Sequence, residues 1–324
     1  MVNTLLAHLR TWRPYTLWYI GLVGLAGAGL TGTGEWWRLA AAWAAPTVGW
    51  IGGHYLSDWF DRDLDAIAKP HRPIPSGMLP ARTALTCGIV CLTAVVLLSI
   101  AGGWRTLAVA VAAAAAIISY GYVLKARGIA GNLVRGLLGA LTLLYGAALG
   151  GSLTGWPLAL LAAAFWAHDT ASNLVGTMRD VDGDRAGGYR TVPVRFGIRA
   201  TFALALTLYT VTLAAALAAG LAADPGPRRL AFLAGLALTA LAGTAAFAVI
   251  GRGTPGLSPA AALRAHAILV LERVWFAATV VALGTGIVPA LVLAIPLLIV
   301  TWWTQGVMRS GYEFGTRAPE PAHR

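Results

Sequence analysis

Residues 54–77, HYLSDWFDRDLDAIAKPHRPIPSG, place four aspartates, Asp58, Asp61, Asp63 and Asp65, within eight positions directly after an apolar run. If the segment continues as a helix, Asp58, Asp61 and Asp65 fall at i, i+3 and i+7 on one side, and Asp63 faces elsewhere. Three such carboxylates repel one another unless protons or a cation neutralise them, and hard oxygen ligands suit Mg2+ completed by waters and phosphate oxygens. Lys69 and Arg72 follow within reach, an ammonium and a guanidinium of the kind a diphosphate needs beyond a metal. Pro70, Pro73 and Pro75 end the helix and stiffen the loop that carries them. The plainer alternative for this stretch alone is a solvated acidic helix end.

A second stretch argues against that alternative. Residues 171–197, ASNLVGTMRDVDGDRAGGYRTVPVRFG, carry Asp180 and Asp184 at i, i+4, with Asp182 off their face. Seven of the chain's 13 acids therefore sit in two short clusters, each leading into a loop with basic residues and Gly or Pro. Two acidic helix ends about 120 residues apart read as halves of one site in an internally duplicated bundle. A third loop, Tyr120 to Arg135, reads YGYVLKARGIAGNLVR and offers Lys125, Arg127, Asn132 and Arg135. They are candidates for holding phosphates or closing the mouth, while Lys125 and Arg127 are equally explained as basic anchors flanking a membrane span.

The elements that must position these groups lie in a bilayer. Of 324 residues 58% are hydrophobic and 11% charged, which excludes a soluble domain and reads as an all-α integral membrane protein. Apolar windows fall near residues 15–32, 38–56, 84–102, 105–123, 133–151, 156–175, 199–221, 230–250 and 266–285. A further run at 287–306 makes the count nine or ten. With ten spans, only Arg38, Arg105, Arg228 and Arg229 fall opposite the N-terminus, so the N-terminus and both acidic clusters are expected on the cytoplasmic side of the cell membrane. That distribution, and not nucleic acid, accounts for the net charge of +11. No cleavable signal peptide is evident, and Cys87 and Cys91, i, i+4 within one apolar run, imply no disulfide framework. The expected organisation is a transmembrane domain over 1–311 and a polar, disordered cytoplasmic tail over 312–324.

Four charges sit at membrane depth, His168 and Asp169 in the sixth window and Glu272 and Arg273 in the ninth; each is a functional candidate or one half of a buried pair. His54 either faces the cavity or bonds a neighbouring helix. Tyr120, Tyr122 and Tyr145 are candidate walls for a cation.

SDWFDRDLDAIAKPHRPIPSG and RDVDGDRAGGYRTVPVRFG, with RPYTLWYIGLVGLAGA near the start and KARGIAGN between them, resemble the two aspartate-rich motifs and flanks of the UbiA superfamily of intramembrane prenyltransferases. The resemblance covers roughly residues 10–290. It implies nine helices around a central cavity, with two Mg2+ ions bridging both motifs and the diphosphate of an isoprenoid donor. By that likeness Asp58, Asp61, Asp65, Asp180 and Asp184 hold Mg2+ or its waters, and Lys69, Arg72 and Lys125 bind the diphosphate. Asn132 matches the family's glycine–asparagine pair and joins the diphosphate contacts. So does Ser57, a hydroxyl where the first motif usually opens with Asn. The second motif often has Asp or Asn where Thr177 stands. RPIPSG and VDGDRAGGYRTVPV are closer to the geranylgeranyl-using branch, chlorophyll synthases and the archaeal ether-lipid geranylgeranyltransferases, than to quinone-ring enzymes. The implied partners are a prenyl diphosphate donor and a lipophilic or aromatic acceptor.

Two other outcomes remain open at this level. A terpene cyclase of the same superfamily shares the site but lets the donor's own double bond capture the cation. A cation transporter fits the buried charges but leaves Lys69 and Arg72 beside the aspartates without a purpose.

Overall fold

Each apolar run is too long for a strand and is bounded by Gly or Pro, so helices follow. The computed structural model describes residues 2–315, and among these there is no strand, only an isolated bridge between Arg127 and Arg190. In order come α1 (Val2–Trp12), α2 (Trp18–Thr31), α3 (Trp36–Phe60), α4 (Arg62–Ala68), α5 (Ala81–Ala101), α6 (Trp104–Ser119) and α7 (Ile129–Leu149). There follow α8 (Trp156–Arg179), α9 (Val181–Ala186), α10 (Val192–Ala222), α11 (Pro227–Gly253), α12 (Pro259–Thr285), α13 (Ile287–Thr304) and α14 (Ser310–Phe314). Single π-helical turns, Tyr120–Leu124 and Gln305–Arg309, extend α6 and α13. Helix starts follow local chemistry: Ser258 Oγ accepts from Ala261 N at 3.2 Å ahead of Pro259, capping α12.

Among the described residues seven helices are long and apolar enough to cross a membrane: α5, α6 with its π-helical turn, α7, α10, α11, α12 and α13 with its extension to Phe314. Length and apolarity alone do not confirm the expected nine or ten spans. Helix α2 has 14 residues, too few to span alone. Helices α3 and α8 have 25 and 24 but are diluted by the polar side chains they give to a central cavity, His54 and Ser57 from α3, and Asp169, Ser172 and Asn173 from α8.

Helix α2 packs against α3, α7 and α12. A Cβ on Gly146 of α7 would lie 1.8 Å from the Gly24 carbonyl of α2, so this crossing requires glycine. One core surrounds α2, with Tyr19, Ile20, Leu22 and Val23 against Leu143, Phe165, Phe276 and Val280. A second gathers Leu174, Val175, Met178, Tyr209, Phe247 and Ile250 between α8, α10 and α11. The two cores hold the halves of the chain around the cavity.

The C-terminal end differs from the expected tail from residue 312. Helix α14 runs to Phe314, and its Tyr312 and Glu313 are buried against charged groups from distant parts of the chain. The remainder of that tail, from residue 316, lies outside the described residues.

Candidate active site

Both acidic stretches adopt the same local form. Helix α3 is interrupted at Asp61 (φ −82°, ψ −2°) before α4, and α8 at Asp180 (φ −95°, ψ 7°) before α9. Asp65 N donates to Asp61 O at 2.7 Å, and Asp184 N to Asp180 O at 2.9 Å. In each copy one aspartate stands at the break and another four residues on, and the copies are offset by 119 positions. Helices α4 and α9 pack together through small residues; a Cβ on Gly183 would meet Ala68 Cβ at 3.0 Å.

The two breaks open onto one cavity of about 370 Å3. Its wall includes Ser57, Asp61, Asp65, Lys69, Arg72, Lys125, Asn132, Asp180 and Asp184. Thus all nine sequence candidates other than Asp58 share a single surface. Asp58 is set apart, because the break at Asp61 ends the common helical face. Its carboxylate accepts from Arg13 Nη2 and from Tyr312 OH at 3.1 and 3.2 Å, and it is off the cavity wall.

The basic side chains cross between motifs. Lys69 Nζ lies 2.8 Å from both Asp180 Oδ1 and Glu313 Oε2. Lys125 Nζ pairs with Asp61 Oδ2, and Arg72 Nη1 donates to both Asp65 oxygens at 2.9 Å. The loop carrying Lys125 is held to the second motif by Arg190 N donating to Ala126 O at 3.0 Å. Tyr189 OH reaches Asp61 Oδ1 at 3.5 Å, and Thr191 Oγ1 donates to Asp184 Oδ2 at 3.1 Å. Asn132 is tied to the wall, its Nδ2 donating to Asn173 Oδ1 at 2.7 Å. Arg127 is not on the cavity wall, whereas Arg135 is.

Burial, with Asp180 nearby, pushes the Asp184 carboxyl up to about 6. Burial raises Asp180 too, but Arg179 and Lys69 outweigh it and hold that carboxyl below its ordinary range. For Lys125 burial favours the neutral form, and Asp61 overrides it, raising the ammonium above its ordinary value.

Several participants lack any local sequence signal. Glu313 receives Lys69, Arg72 and Arg179 at 2.8, 3.4 and 2.9 Å. The Tyr312 ring lies 4.5 Å from both the Arg13 and the Arg72 guanidinium carbons. Among the tyrosines expected as walls, Tyr120 lines this cavity. Tyr145 lines a smaller apolar one beside it and accepts from Ser99 Oγ at 3.1 Å, and Tyr122 is exposed against Phe60. Deeper, His168 Nε2 donates to Glu272 Oε2 at 2.7 Å and Tyr209 OH to Glu272 Oε1 at 3.0 Å, so that membrane-depth pair is structural. On the cavity wall His54 Nδ1 accepts from Arg13 Nη1 at 3.1 Å and its Nε2 donates to Thr16 Oγ1 at 2.9 Å, the Thr16 hydroxyl itself donating to Arg13 O.

The donor set suits a hard divalent cation. At the rim six carboxylates, Asp61, Asp65, Asp180, Asp182, Asp184 and Glu313, face four cations, Lys69, Arg72, Lys125 and Arg179. Among the described residues no three acids converge as a preformed cage, since most of these carboxylates are drawn to a lysine or arginine.

The model of the UbiA prenyltransferase family matches residues 17–269. Among curated proteins, a digeranylgeranylglyceryl phosphate synthase of Halobacterium salinarum is 36% identical over 210 residues, 63% of this chain and 74% of its own length. One from Natronomonas pharaonis is 36% identical over 162 residues, 50% of this chain and 58% of its own, so the chain spans less than two thirds of that relative. A UbiA homolog from Archaeoglobus fulgidus, solved bound to GPP and Mg2+, superposes with a TM-score of 0.67 at 17% identity, over 85% of this chain and 99% of that one. At that identity the superposition speaks for the fold.

Proposed function

The chain belongs to the UbiA prenyltransferase family, and on that premise we propose that it transfers an isoprenoid chain from an allylic prenyl diphosphate, of geranylgeranyl type, to a lipophilic acceptor with release of pyrophosphate. The observation that carries this reading is the meeting of Asp61, Asp65, Asp180 and Asp184 with Lys69, Arg72 and Lys125 on one cavity wall. The relatives' name, a glyceryl phosphate bearing two geranylgeranyl chains, supports both the donor type and a lipid acceptor.

In this proposal the four aspartates hold Mg2+ directly or through its waters. Bound there, Mg2+ supplies Lewis-acid stabilisation of the charge that gathers on the leaving pyrophosphate. Lys69, Arg72 and Lys125 donate to diphosphate oxygens and stabilise the same charge. The allylic carbon–oxygen bond breaks with its electron pair on pyrophosphate, the acceptor's nucleophilic atom bonds to the allylic carbon, and its proton leaves. Asp58 acts by position, orienting Arg13 and Tyr312 behind Arg72. Residues 1–311 act as one transmembrane unit, with α14 closing the mouth on the cytoplasmic side. A cyclase is disfavoured: the inner cavity wall bears Arg135 and Arg273, which oppose a carbocation unless an anion accompanies it.

The test is Mg2+-dependent pyrophosphate release from geranylgeranyl diphosphate by the purified chain with a membrane lipid extract as acceptor source. Asp61→Ala and Asp184→Ala should each abolish it. Undiminished turnover in both, or a cyclic hydrocarbon formed without acceptor, overturns the proposal.

A further inference from the structure

Glu313, 8% exposed, stands where the rim cations would hold a ligand. Lys69 and Arg72 come from the loop after α4 and Arg179 from the end of α8, and all three converge on this one carboxylate. Its Oε2 lies 2.8 Å from Lys69 Nζ and 3.4 Å from Arg72 Nη2, and its Oε1 lies 2.9 Å from Arg179 Nη1. Arg179, on the cavity wall, also donates from Nε and Nη2 to Asp180 at 3.0 and 2.7 Å.

The carboxylate fits this place poorly. It brings one negative charge to three cations that otherwise share Asp65 and Asp180. Arg179 Nη1 is close to Oε1 without the alignment of a hydrogen bond, so it and Arg72 Nε are buried N–H groups without an acceptor. A phosphate, with three terminal oxygens and more charge, answers the same three cations more fully.

The rest of α14 is held by contacts of the same kind. Its five residues follow the π-helical turn Gln305–Arg309, which interrupts the α-helical ladder between it and α13. Tyr312 OH donates to Asp58, its ring lies 4.5 Å from the guanidinium carbons of Arg13 and Arg72, and its carbonyl accepts from His71 Nε2 at 3.0 Å. Among the described residues neither Tyr312 nor Phe314 joins an apolar core. Polar attachments are exchanged at little cost when an incoming anion supplies the same partners, which apolar burial does not allow.

We propose that α14 is a displaceable internal ligand. Glu313 keeps the place of the donor's terminal phosphate on Lys69, Arg72 and Arg179, the phosphate expels it on binding, and Arg179 thereby becomes a further diphosphate-binding residue. When pyrophosphate leaves, the helix returns, so the buried cations are never without an anion. The identity of the expelling anion rests on the transferase reading above; the exchange rests on the geometry of α14.

The experiment follows backbone hydrogen exchange in the full-length purified protein in detergent, together with the binding of two probes. These are geranylgeranyl thiolodiphosphate with Mg2+ and inorganic pyrophosphate with Mg2+. In the parent, saturating thiolodiphosphate should speed exchange across Ser310–Phe314 by at least about tenfold while slowing it in α4 and α9. Glu313→Gln should exchange fast there without ligand and bind thiolodiphosphate about tenfold more tightly than the parent. Arg179→Gln should weaken binding about twofold in the parent but about tenfold in the Glu313→Gln background, because in the parent the same change also loosens the competing carboxylate. Equal losses in both backgrounds overturn the exchange. Slower exchange of α14 on ligand binding, or weaker binding by Glu313→Gln, makes the helix a lid that closes over the donor, which overturns the proposal and leaves the transferase reading standing. Faster exchange with inorganic pyrophosphate and no affinity added by the prenyl chain upholds the internal ligand and refutes the transferase reading instead. The exchange measurement on the parent needs no substitution, so it decides even where a variant fails to fold.

Discussion

Replacing Asp184 by Asn should make the metal-free protein more stable and the enzyme inactive. The ordinary aspartate value of 3.8 is moved to about 6 by burial and by the neighbouring Asp180. At about 1.36 kcal/mol per pH unit, ionising Asp184 in the folded chain therefore costs about 3 kcal/mol more than in the unfolded one. Because the folded state binds this proton more tightly, stability is unaffected below the unfolded value and declines as pH rises from 3.8 to about 6. Above that the full penalty applies. Asn is nearly isosteric, stays neutral, and can still accept from Thr191 Oγ1, which now donates at 3.1 Å. Thermal unfolding in detergent with chelator, followed by tryptophan fluorescence at pH 8, should show Asp184→Asn melting higher by roughly 5 °C or more. The gap should shrink to about 1 kcal/mol near pH 4.5. Mg2+ should then raise the melting temperature of the parent and not of the variant. A variant less stable than the parent at pH 8, or a gap that ignores pH, would show that Asp184 is already compensated by the lysines around it.

Other substitutions probe the surroundings. Glu313→Gln removes the carboxylate shared by Lys69, Arg72 and Arg179, so the ligand-free melting temperature should fall while affinity for a prenyl thiolodiphosphate rises; a fall in both would make Glu313 part of the binding surface. Glu272→Ala strips the partner of His168 and Tyr209 inside the bundle and should cost about 3–5 kcal/mol in detergent unfolding, against no loss if the pair is idle. Gly146→Ala forces α2 and α7 apart at a point where the new methyl would sit 1.8 Å from a carbonyl oxygen, and unfolding by denaturant should register a loss well beyond the roughly 1 kcal/mol typical of point substitutions.

The aspartate pairs were legible in the chain because their chemistry is local: Asp61 with Asp65, and Asp180 with Asp184, each four residues apart, repeated at 119 positions. Lys69, Arg72 and Lys125 could be read the same way, since proline and glycine nearby mark the loops that carry them. Asp58 could not, because its partners Arg13 and Tyr312 stand 45 and 254 residues away and nothing in its own helix announces them. Glu313 was hidden for a similar reason, in a short polar stretch whose order comes from charges supplied elsewhere. His168 and Glu272 each stood out as an ionisable group at membrane depth, but periodicity says nothing of which helix faces which, so their pairing emerged only from the packing. The number of spans is not confirmed by length and composition, because α2 is short and because α3 and α8 have the length of a span but carry the polar side chains of the site.

One contact has a thermodynamic consequence for ligand order. Lys125 and Asp61 are each other's counter-ion, whereas Lys69 and Asp180 have Glu313 and Arg179 as further partners. A phosphate that draws Lys125 away strands a buried carboxylate, and a cation that claims Asp61 strands a buried ammonium. Each newcomer alone thus leaves a bare charge in a poorly hydrated place, whereas both together exchange partners without loss. The occupants should accordingly bind with strong positive cooperativity, each tightening the other by the same factor, so that neither is retained well on its own.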